Sequence, residues 1–192
     1  MKRLLLATLL LTSCALNKSG YTPKEPAIIR ILNAQKKFMC SGSVLSDRYV
    51  LTAAHCLEGA AFIQSKENSL IMVSVLSSVG DDRLDLALLI SDLRQFEKER
   101  VDIDPASILG TYFKRACGFP RGGELYCRNF TQTTRKYFQF SCPIDAYPGM
   151  SGGPVYSRWS GAVIGVISAV GSDGETLWSP TVELYKTLGV RP

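Results

Sequence analysis

Val50–Cys56, with the sequence VLTAAHC, contains His55, the single histidine of this 192-residue chain. Histidine is the side chain whose ordinary pKa lies nearest neutral pH, which makes it the usual general base in enzymes. A single histidine leaves one candidate for that role and excludes a zinc site built on several histidines. Because an imidazole in an apolar run needs a polar partner, the segments that offer one become informative.

Two other segments supply such partners. Leu84–Ile90 (LDLALLI) places Asp85 in an apolar, strand-like run, where a carboxylate without a donor is costly. Gly149–Pro154 (GMSGGP) places Ser151 among glycines, where the backbone turns sharply and directs N–H groups at a reacting atom. Histidine, aspartate and serine in this chain order are the parts of a base, an orienting group and a nucleophile.

Taken together, the three segments resemble those of the trypsin-like (chymotrypsin-fold) serine peptidases in their compact bacterial form. Ser41–Leu45 followed by Leu51–Cys56 resembles the family's histidine segment, Asp85–Leu89 its aspartate segment and Gly149–Pro154 its serine segment. The similarity covers residues 27–185. It implies an all-β fold of two antiparallel six-stranded β-barrels, with the active site in the cleft between them. It also implies a serine endopeptidase that acts on peptides or proteins and needs neither a cofactor nor a metal.

The resemblance assigns a role to each site residue. Ser151 is the nucleophile, His55 is the general base and then the general acid, and Asp85 orients the imidazole. The backbone N–H groups of Gly149 and Ser151 form the oxyanion hole. Ser168 matches the family serine that supports the aspartate, and its segment is expected to pair with the substrate backbone as an added strand.

Two alternatives bear on these roles. Asp81 and Asp82 are rival carboxylates, but their Gly-Asp-Asp-Arg turn is typical of solvated surface residues. The chain could also be a catalytically silent lipoprotein that uses the fold to bind a partner. Inactive relatives usually lose a member of the triad, whereas His55, Asp85 and Ser151 are all present, which favours the enzyme.

The substrate preference rests on weaker matches. Asp145 lies six residues before Ser151, like the pocket-floor aspartate of relatives that cleave after Arg or Lys. A carboxylate there would pair well with a guanidinium or an ammonium group. Val170 and Thr181 match pocket-wall positions where those relatives have glycine, which favours small side chains instead. Glu-specific relatives have a second histidine in the pocket, and the matching position here is Ile167, which argues against a preference for Glu. Three classes of preference stay open: basic, small apolar and other.

The sequence has six cysteines. By resemblance, Cys40 and Cys56 form the family's disulfide beside the histidine. Cys117 and Cys127 could close a hairpin, but Cys142 could pair with either of them, and the sequence leaves this connectivity open.

The N-terminal segment has the pattern of an export signal. A basic start precedes the apolar run Leu4–Leu11, which is too short to span a bilayer. Leu11–Cys14 (LTSC) resembles a lipobox, which implies cleavage after Ser13 and attachment of diacylglycerol to Cys14. The alternative is an ordinary secretory signal and a soluble secreted or periplasmic protein. The predicted division is residues 1–13 as lipoprotein-type signal peptide, 14–26 as tether and 27–192 as peptidase domain.

Composition fits a single exported domain. The formal net charge is +5, and removal of Lys2 and Arg3 with the signal leaves +3. The basic residues are scattered, so we expect no nucleic-acid partner. We expect a monomer that contacts the membrane only through its lipid anchor. Short turns of helix are predicted in the charged segment Leu93–Arg100 and near the C-terminus in Val182–Leu188.

Overall fold

The computed structural model describes residues 27–65, 72–94, 113–136, 138–171 and 174–182. The predicted signal peptide and tether lie outside these residues, as do nearly all residues of the two predicted helical turns. The described part consists of two antiparallel β-sheets, which confirms the all-β prediction. The chain fills the first sheet before it begins the second. None of the described helices is long and apolar enough to span a membrane.

The first sheet closes into a barrel through one bent strand. Its strands are β1 (Ile28–Asn33), β2 (Phe38–Val44), β3 (Tyr49–Thr52), β4 (Ala60–Ser65), β5 (Met72–Ser74), β6 (Ser77–Asp81) and β7 (Leu86–Ile90). Their order is β5-β4-β1-β2-β3-β7-β6. Only Val75 and Leu76 separate β5 from β6. The N–H of Val75 bonds to β4 and that of Leu76 to β7, so one bent strand joins both edges.

The second sheet repeats this arrangement. It contains β8 (Lys114–Gly118), β9 (Tyr126–Phe130), β10 (Thr134–Lys136), β11 (Gln139–Cys142), β12 (Pro154–Ser157), β13 (Val163–Val170) and β14 (Thr176–Pro180). Their order is β10-β11-β14-β13-β12-β8-β9. Three residues separate β9, which pairs with β8, from β10, which pairs with β11. Each sheet therefore has seven hydrogen-bonded segments rather than the predicted six, because one strand per barrel is broken by a bend.

The apolar strand residues pack into two clusters. One cluster fills the first barrel and extends to Phe119, Tyr156 and Val163 of the second, so the two barrels share buried surface. The other lies within the second barrel around Trp178, whose ring stacks on Phe140. Burial of this much apolar side-chain surface is the main stabilising contribution to a domain of this size.

The structure decides the cysteine pairing that the sequence left open. Cys40 is bonded to Cys56, as the resemblance implies, and Cys117 is bonded to Cys127 across the β8–β9 hairpin. Cys142 is a buried free thiol. Burial raises the pKa of Cys142 to about 12, so this thiol is neutral and unreactive at physiological pH.

Candidate active site

His55 lies in a short 3-10 helix, Ala54–Cys56, directly after β3. The disulfide between Cys56 and Cys40 ties this helix to β2. The backbone N–H of His55 donates to Oδ1 of Asp85 over 3.0 Å, and the ring Nδ1 lies 3.0 Å from both carboxylate oxygens. The side chain is 48% exposed, so its other face opens to solvent. One aspartate therefore holds both the backbone and the ring of the histidine.

Asp85 lies in a turn rather than in a strand. The sequence predicted a strand from Leu84, but β7 begins at Leu86, and Asp85 has a left-handed backbone with φ of +50°. Aspartate tolerates this conformation better than most residues because its short polar side chain bonds locally. The turn projects the carboxylate toward His55. Of the rival carboxylates, Asp81 instead accepts the backbone N–H groups of Arg83 and Leu84.

A second donor completes the environment of Asp85. The buried hydroxyl of Ser168 donates to Oδ2 of Asp85, so the match of Ser168 to the family's supporting serine has a structural counterpart. Gln139 donates from its amide nitrogen to Ser168 over 2.9 Å and to Ser179 over 3.0 Å. Gln139 was not predicted from the sequence, because nothing in its own segment signals a role and only the β11–β14–β13 pairing brings it to Ser168.

The two ionisable partners shift each other's pKa in opposite directions. The hydrogen bond that the His55 ring donates to Asp85 raises the pKa of His55, and this effect outweighs the lowering caused by burial. Burial by itself would raise the pKa of Asp85, but the hydrogen bonds from His55 and Ser168 prevail and lower it. The carboxylate is therefore ionised at neutral pH, and it fixes the tautomer in which Nδ1 carries the proton and Nε2 is free.

Ser151 lies on the other side of the cleft, in the loop between β11 and β12. Its hydroxyl donates to the carbonyl oxygen of Ser168 over 3.2 Å. Within the described parts of the chain, the hydroxyl forms no hydrogen bond to His55. Rotation of the Ser151 side chain about χ1 moves the hydroxyl from the Ser168 carbonyl to another staggered rotamer.

The backbone around Ser151 is held peptide by peptide. The N–H of Arg121 bonds to the Pro148 carbonyl over 2.7 Å, and the N–H of Gly153 bonds to the Met150 carbonyl over 2.9 Å. The N–H and C=O of a trans peptide point in opposite directions. The bond to the Pro148 carbonyl therefore orients the N–H of Gly149, and the bond to the Met150 carbonyl orients the N–H of Ser151. Those N–H groups, of Gly149 and Ser151, donate to no other residue that the structure describes. They are the two donors predicted for an oxyanion hole.

The predicted pocket residues differ in their exposure. Asp145 is exposed and forms neither a hydrogen bond nor a close ion pair with another residue of the described ranges, although its charge interacts with that of Arg128. Val170 is 52% exposed at the end of β13. Thr181 is fully buried, and its hydroxyl donates to the Val163 carbonyl over 3.4 Å. Thr181 is therefore satisfied within the fold, whereas Asp145 and Val170 face solvent.

The sulfur atoms of Cys40 and Cys56 lie within 4.8 Å of a His55 ring nitrogen, a distance that would suit a metal ion. Both sulfurs belong to one disulfide and cannot act as thiolate ligands. Nδ1 of His55 is already committed to Asp85. The donor set of this cluster does not fit zinc.

A comparison with known protein families identifies the family of this chain. The family model of the trypsin-like peptidase domain matches residues 40–166, about two thirds of the chain. The chain belongs to the trypsin-like peptidase family. This peptidase is thus a serine-type endopeptidase, a hydrolase that acts on peptide or protein substrates. A search of curated protein sequences finds no match.

Solved structures support the same fold at low sequence identity. A protease from M. tuberculosis in its active form is 20% identical, with 88% of this chain and 84% of that chain covered and a TM-score of 0.67. A serine endoprotease from Yersinia pestis is 21% identical, with 86% and 62% covered and a TM-score of 0.71. HL collagenase is 15% identical, with 90% and 96% covered and a TM-score of 0.68. This peptidase therefore spans less than two thirds of the Yersinia enzyme.

The Asp85→Asn variant should lower the pKa of His55, because it removes the carboxylate whose hydrogen bond raises that pKa. A pH titration of the ring proton signals by NMR reports this directly, since the chain has one histidine. We expect a midpoint above the ordinary value of about 6.5 in the wild type and a clearly lower one in the variant. Asp82→Asn, in the same turn, is the matched control and should not shift the midpoint. An unchanged midpoint in Asp85→Asn would contradict the assignment of Asp85.

Proposed function

We propose that this peptidase cleaves peptide bonds through an acyl-enzyme formed on Ser151, with His55 as the base and Asp85 as its orienting partner. The observation that carries the proposal is the pair of uncommitted N–H groups, on Gly149 and Ser151, beside a histidine whose tautomer Asp85 fixes. These are the groups that acyl transfer requires, and the fold brings them together from two barrels.

The chemistry follows from the positions of these groups. The Ser151 hydroxyl rotates away from the Ser168 carbonyl and gives its proton to Nε2 of His55 while Oγ attacks the substrate carbonyl carbon. The oxygen that becomes negative accepts the N–H groups of Gly149 and Ser151, each worth roughly 3 kcal/mol in the transition state. The imidazolium, stabilised by Asp85, then protonates the departing amine as the C–N bond breaks. Water activated by His55 hydrolyses the ester and regenerates Ser151.

The site needs no activating cleavage in this proposal. Many animal relatives pair a new N-terminal amine with an aspartate directly before the nucleophile, but here that position is Met150, which cannot form an ion pair. Met150 is fully buried, and its backbone N–H donates to the Tyr147 carbonyl over 3.0 Å. The loop is thus held by groups already present in the chain, which supports a site that forms on folding.

Replacement of Ser151 by alanine should abolish hydrolysis of a fluorogenic peptide library, with a loss of roughly 10³-fold or more in kcat. The matched control is Ser43→Ala, which removes another buried serine hydroxyl from the same protein. A fluorophosphonate probe should label the wild type and Ser43→Ala with one equivalent and leave Ser151→Ala unlabelled. Equal turnover by wild type and Ser151→Ala would exclude the mechanism, and a folded wild type that cleaves nothing would favour the silent binding module.

We propose cleavage after Arg or Lys, with Asp145 as the carboxylate that receives the basic side chain. The support is the exposure of Asp145 and its lack of a hydrogen bond or close ion pair within the described part of the chain. Such a carboxylate would gain a charge-assisted hydrogen bond when a guanidinium binds. The bulk of Val170 favours small side chains as the second candidate.

In Asp145→Asn, the ratio of kcat/KM for Arg over Ala at P1 should fall at least tenfold. The loss of an attractive charge in the pocket acts on the basic side chain alone, so cleavage after Ala should change little. Asp82→Asn removes the same charge at an exposed site and controls for net charge. A library profile dominated by small residues in wild type, or a ratio that Asp145→Asn leaves unchanged, would refute the basic preference.

We further propose that the peptidase is exported and held at the cell envelope by acylated Cys14. The support is the sequence Leu11–Cys14 after an apolar run, followed by the polar residues 15–26. Each buried CH₂ of an acyl chain contributes about 0.8 kcal/mol, so several chains on one residue anchor stably. Thirteen tether residues reach at most about 45 Å, which keeps the domain close to the membrane.

Cys14→Ser should convert a membrane-bound protein into a soluble one. Triton X-114 partitioning of cell extracts should place the wild type in the detergent phase and the variant in the aqueous phase. Mass spectrometry should find acylated Cys14 at the N-terminus of the active wild type. An active protein that begins beyond Cys14, or a wild type in the aqueous phase, would favour the soluble secreted form instead.

A further inference from the structure

We infer that Ser41 is a positioning residue for the oxyanion loop, Tyr147–Gly153. This inference rests on the proposed function, because it assumes that Gly149 and Ser151 stabilise the oxyanion. Ser41 belongs to β2 of the first barrel, whereas the oxyanion loop belongs to the second. No part of the reaction requires the Ser41 hydroxyl to touch the substrate, so its action is through the loop.

Ser41 contacts the oxyanion loop with two donors. Its backbone N–H bonds to the Ser151 carbonyl over 2.8 Å, and its hydroxyl bonds to the Gly149 carbonyl over 2.8 Å. Any residue but proline can supply the first bond, but the second requires a side-chain donor. The side chain is fully buried, so water does not compete for these carbonyls.

The proton of the Ser41 hydroxyl has a defined direction. The backbone N–H of Phe119, at the end of β8, donates to Ser41 Oγ over 2.9 Å. Because Oγ accepts this bond, its own proton is directed at the Gly149 carbonyl. The carbonyl of Ser41 in turn accepts the hydroxyl of Thr52 over 2.9 Å. Ser41 thus accepts hydrogen bonds from Thr52 of β3 and from Phe119, which follows β8, and donates two to the oxyanion loop.

Gly149 needs such an external restraint. It has φ of +93°, and a Cβ there would lie 2.4 Å from the ring of Phe38, so only glycine fits. Glycine also allows the adjoining peptides to rotate more freely than any other residue. The bond from Ser41 to the Gly149 carbonyl limits this rotation on one side of the residue. Loss of the hydroxyl therefore removes one of the two hydrogen bonds by which described residues hold the peptide between Gly149 and Met150. The bond from the Met150 N–H to the Tyr147 carbonyl remains.

The expected effect is a selective loss of transition-state stabilisation. Removal of a whole oxyanion donor typically costs 10²- to 10³-fold in kcat. Ser41→Ala removes only a restraint on the donor, so we expect kcat to fall roughly tenfold to a hundredfold. KM should change less than about threefold, since the hydroxyl does not contact the substrate. Inhibition by a peptidyl aldehyde, whose hemiacetal oxygen occupies the oxyanion hole, should weaken by the same factor as kcat/KM.

The chain offers a close control in Ser43→Ala. Ser43 lies two residues further along β2 and is also fully buried, but its hydroxyl has no hydrogen-bond partner among the described residues. Both variants lose one buried oxygen, but only Ser41→Ala loses a hydrogen bond to the oxyanion loop, the one to the Gly149 carbonyl. Ser43→Ala should retain wild-type kcat and aldehyde affinity. Ser41→Thr, which keeps the hydroxyl, should stay within about threefold of wild type.

Rates are normalised to active sites titrated with a fluorophosphonate in the folded fraction from gel filtration, so a lower yield of Ser41→Ala does not affect the comparison. If Ser41→Ala has the same kcat per active site as Ser43→Ala, the inference is overturned. The proposed mechanism still stands in that case, provided that Ser151→Ala is inactive. The inference is also overturned if Ser41→Ala lowers kcat but leaves the affinity for the aldehyde unchanged. The same holds if kcat of Ser41→Thr is as low as that of Ser41→Ala. If Ser151→Ala is active, the proposed mechanism itself is wrong, and the inference that rests on it fails as well.

Discussion

The hydrogen bond from the Ser41 backbone N–H to the Ser151 carbonyl joins the two barrels at the proposed nucleophile. His55 and Asp85 come from the first barrel and Ser151 from the second, so the relative position of the barrels sets the geometry of the site. The contact is close as well as polar. A Cβ at Gly152 would lie 2.1 Å from the Thr52 hydroxyl oxygen and 2.2 Å from the Ser41 carbonyl oxygen. Because Gly152 has no Cβ, the first barrel can pack directly against the oxyanion loop.

A chain of hydrogen bonds across the cleft organises the charges. Gln139 bonds to Ser168, Ser168 to Asp85, and Asp85 to His55. Two members of this chain belong to the second barrel and two to the first. The hydrogen bonds donated by His55 and Ser168 stabilise the Asp85 carboxylate against the cost of partial burial, and the carboxylate in turn stabilises protonated His55. Docking of the barrels and the protonation states of the site are thus coupled.

How much of the site could be predicted depended on how local each signal was. His55, Asp85 and Ser151 lie in short segments whose composition is unusual by itself, with one histidine in the chain, one carboxylate in an apolar run and one serine among glycines. Ser41 and Gln139 are ordinary polar residues in strands, and their partners lie far away in the chain. Contact between the barrels brings Ser41 to the oxyanion loop, and strand pairing brings Gln139 to Ser168. The strand at Asp85 was predicted two residues too long, because apolar periodicity does not reveal a left-handed turn.

Residue types and short spacings along the chain were enough to predict the fold class and the chain order of His55, Asp85 and Ser151. They are also the basis of the proposed export signal. Tertiary structure decided that Cys117 pairs with Cys127, that Asp85 rather than Asp81 or Asp82 contacts His55, and that Thr181 is satisfied internally. It also placed the Ser151 hydroxyl on the Ser168 carbonyl. These outcomes depend on distances between residues far apart in the chain, which are set only when the two barrels close and pack together.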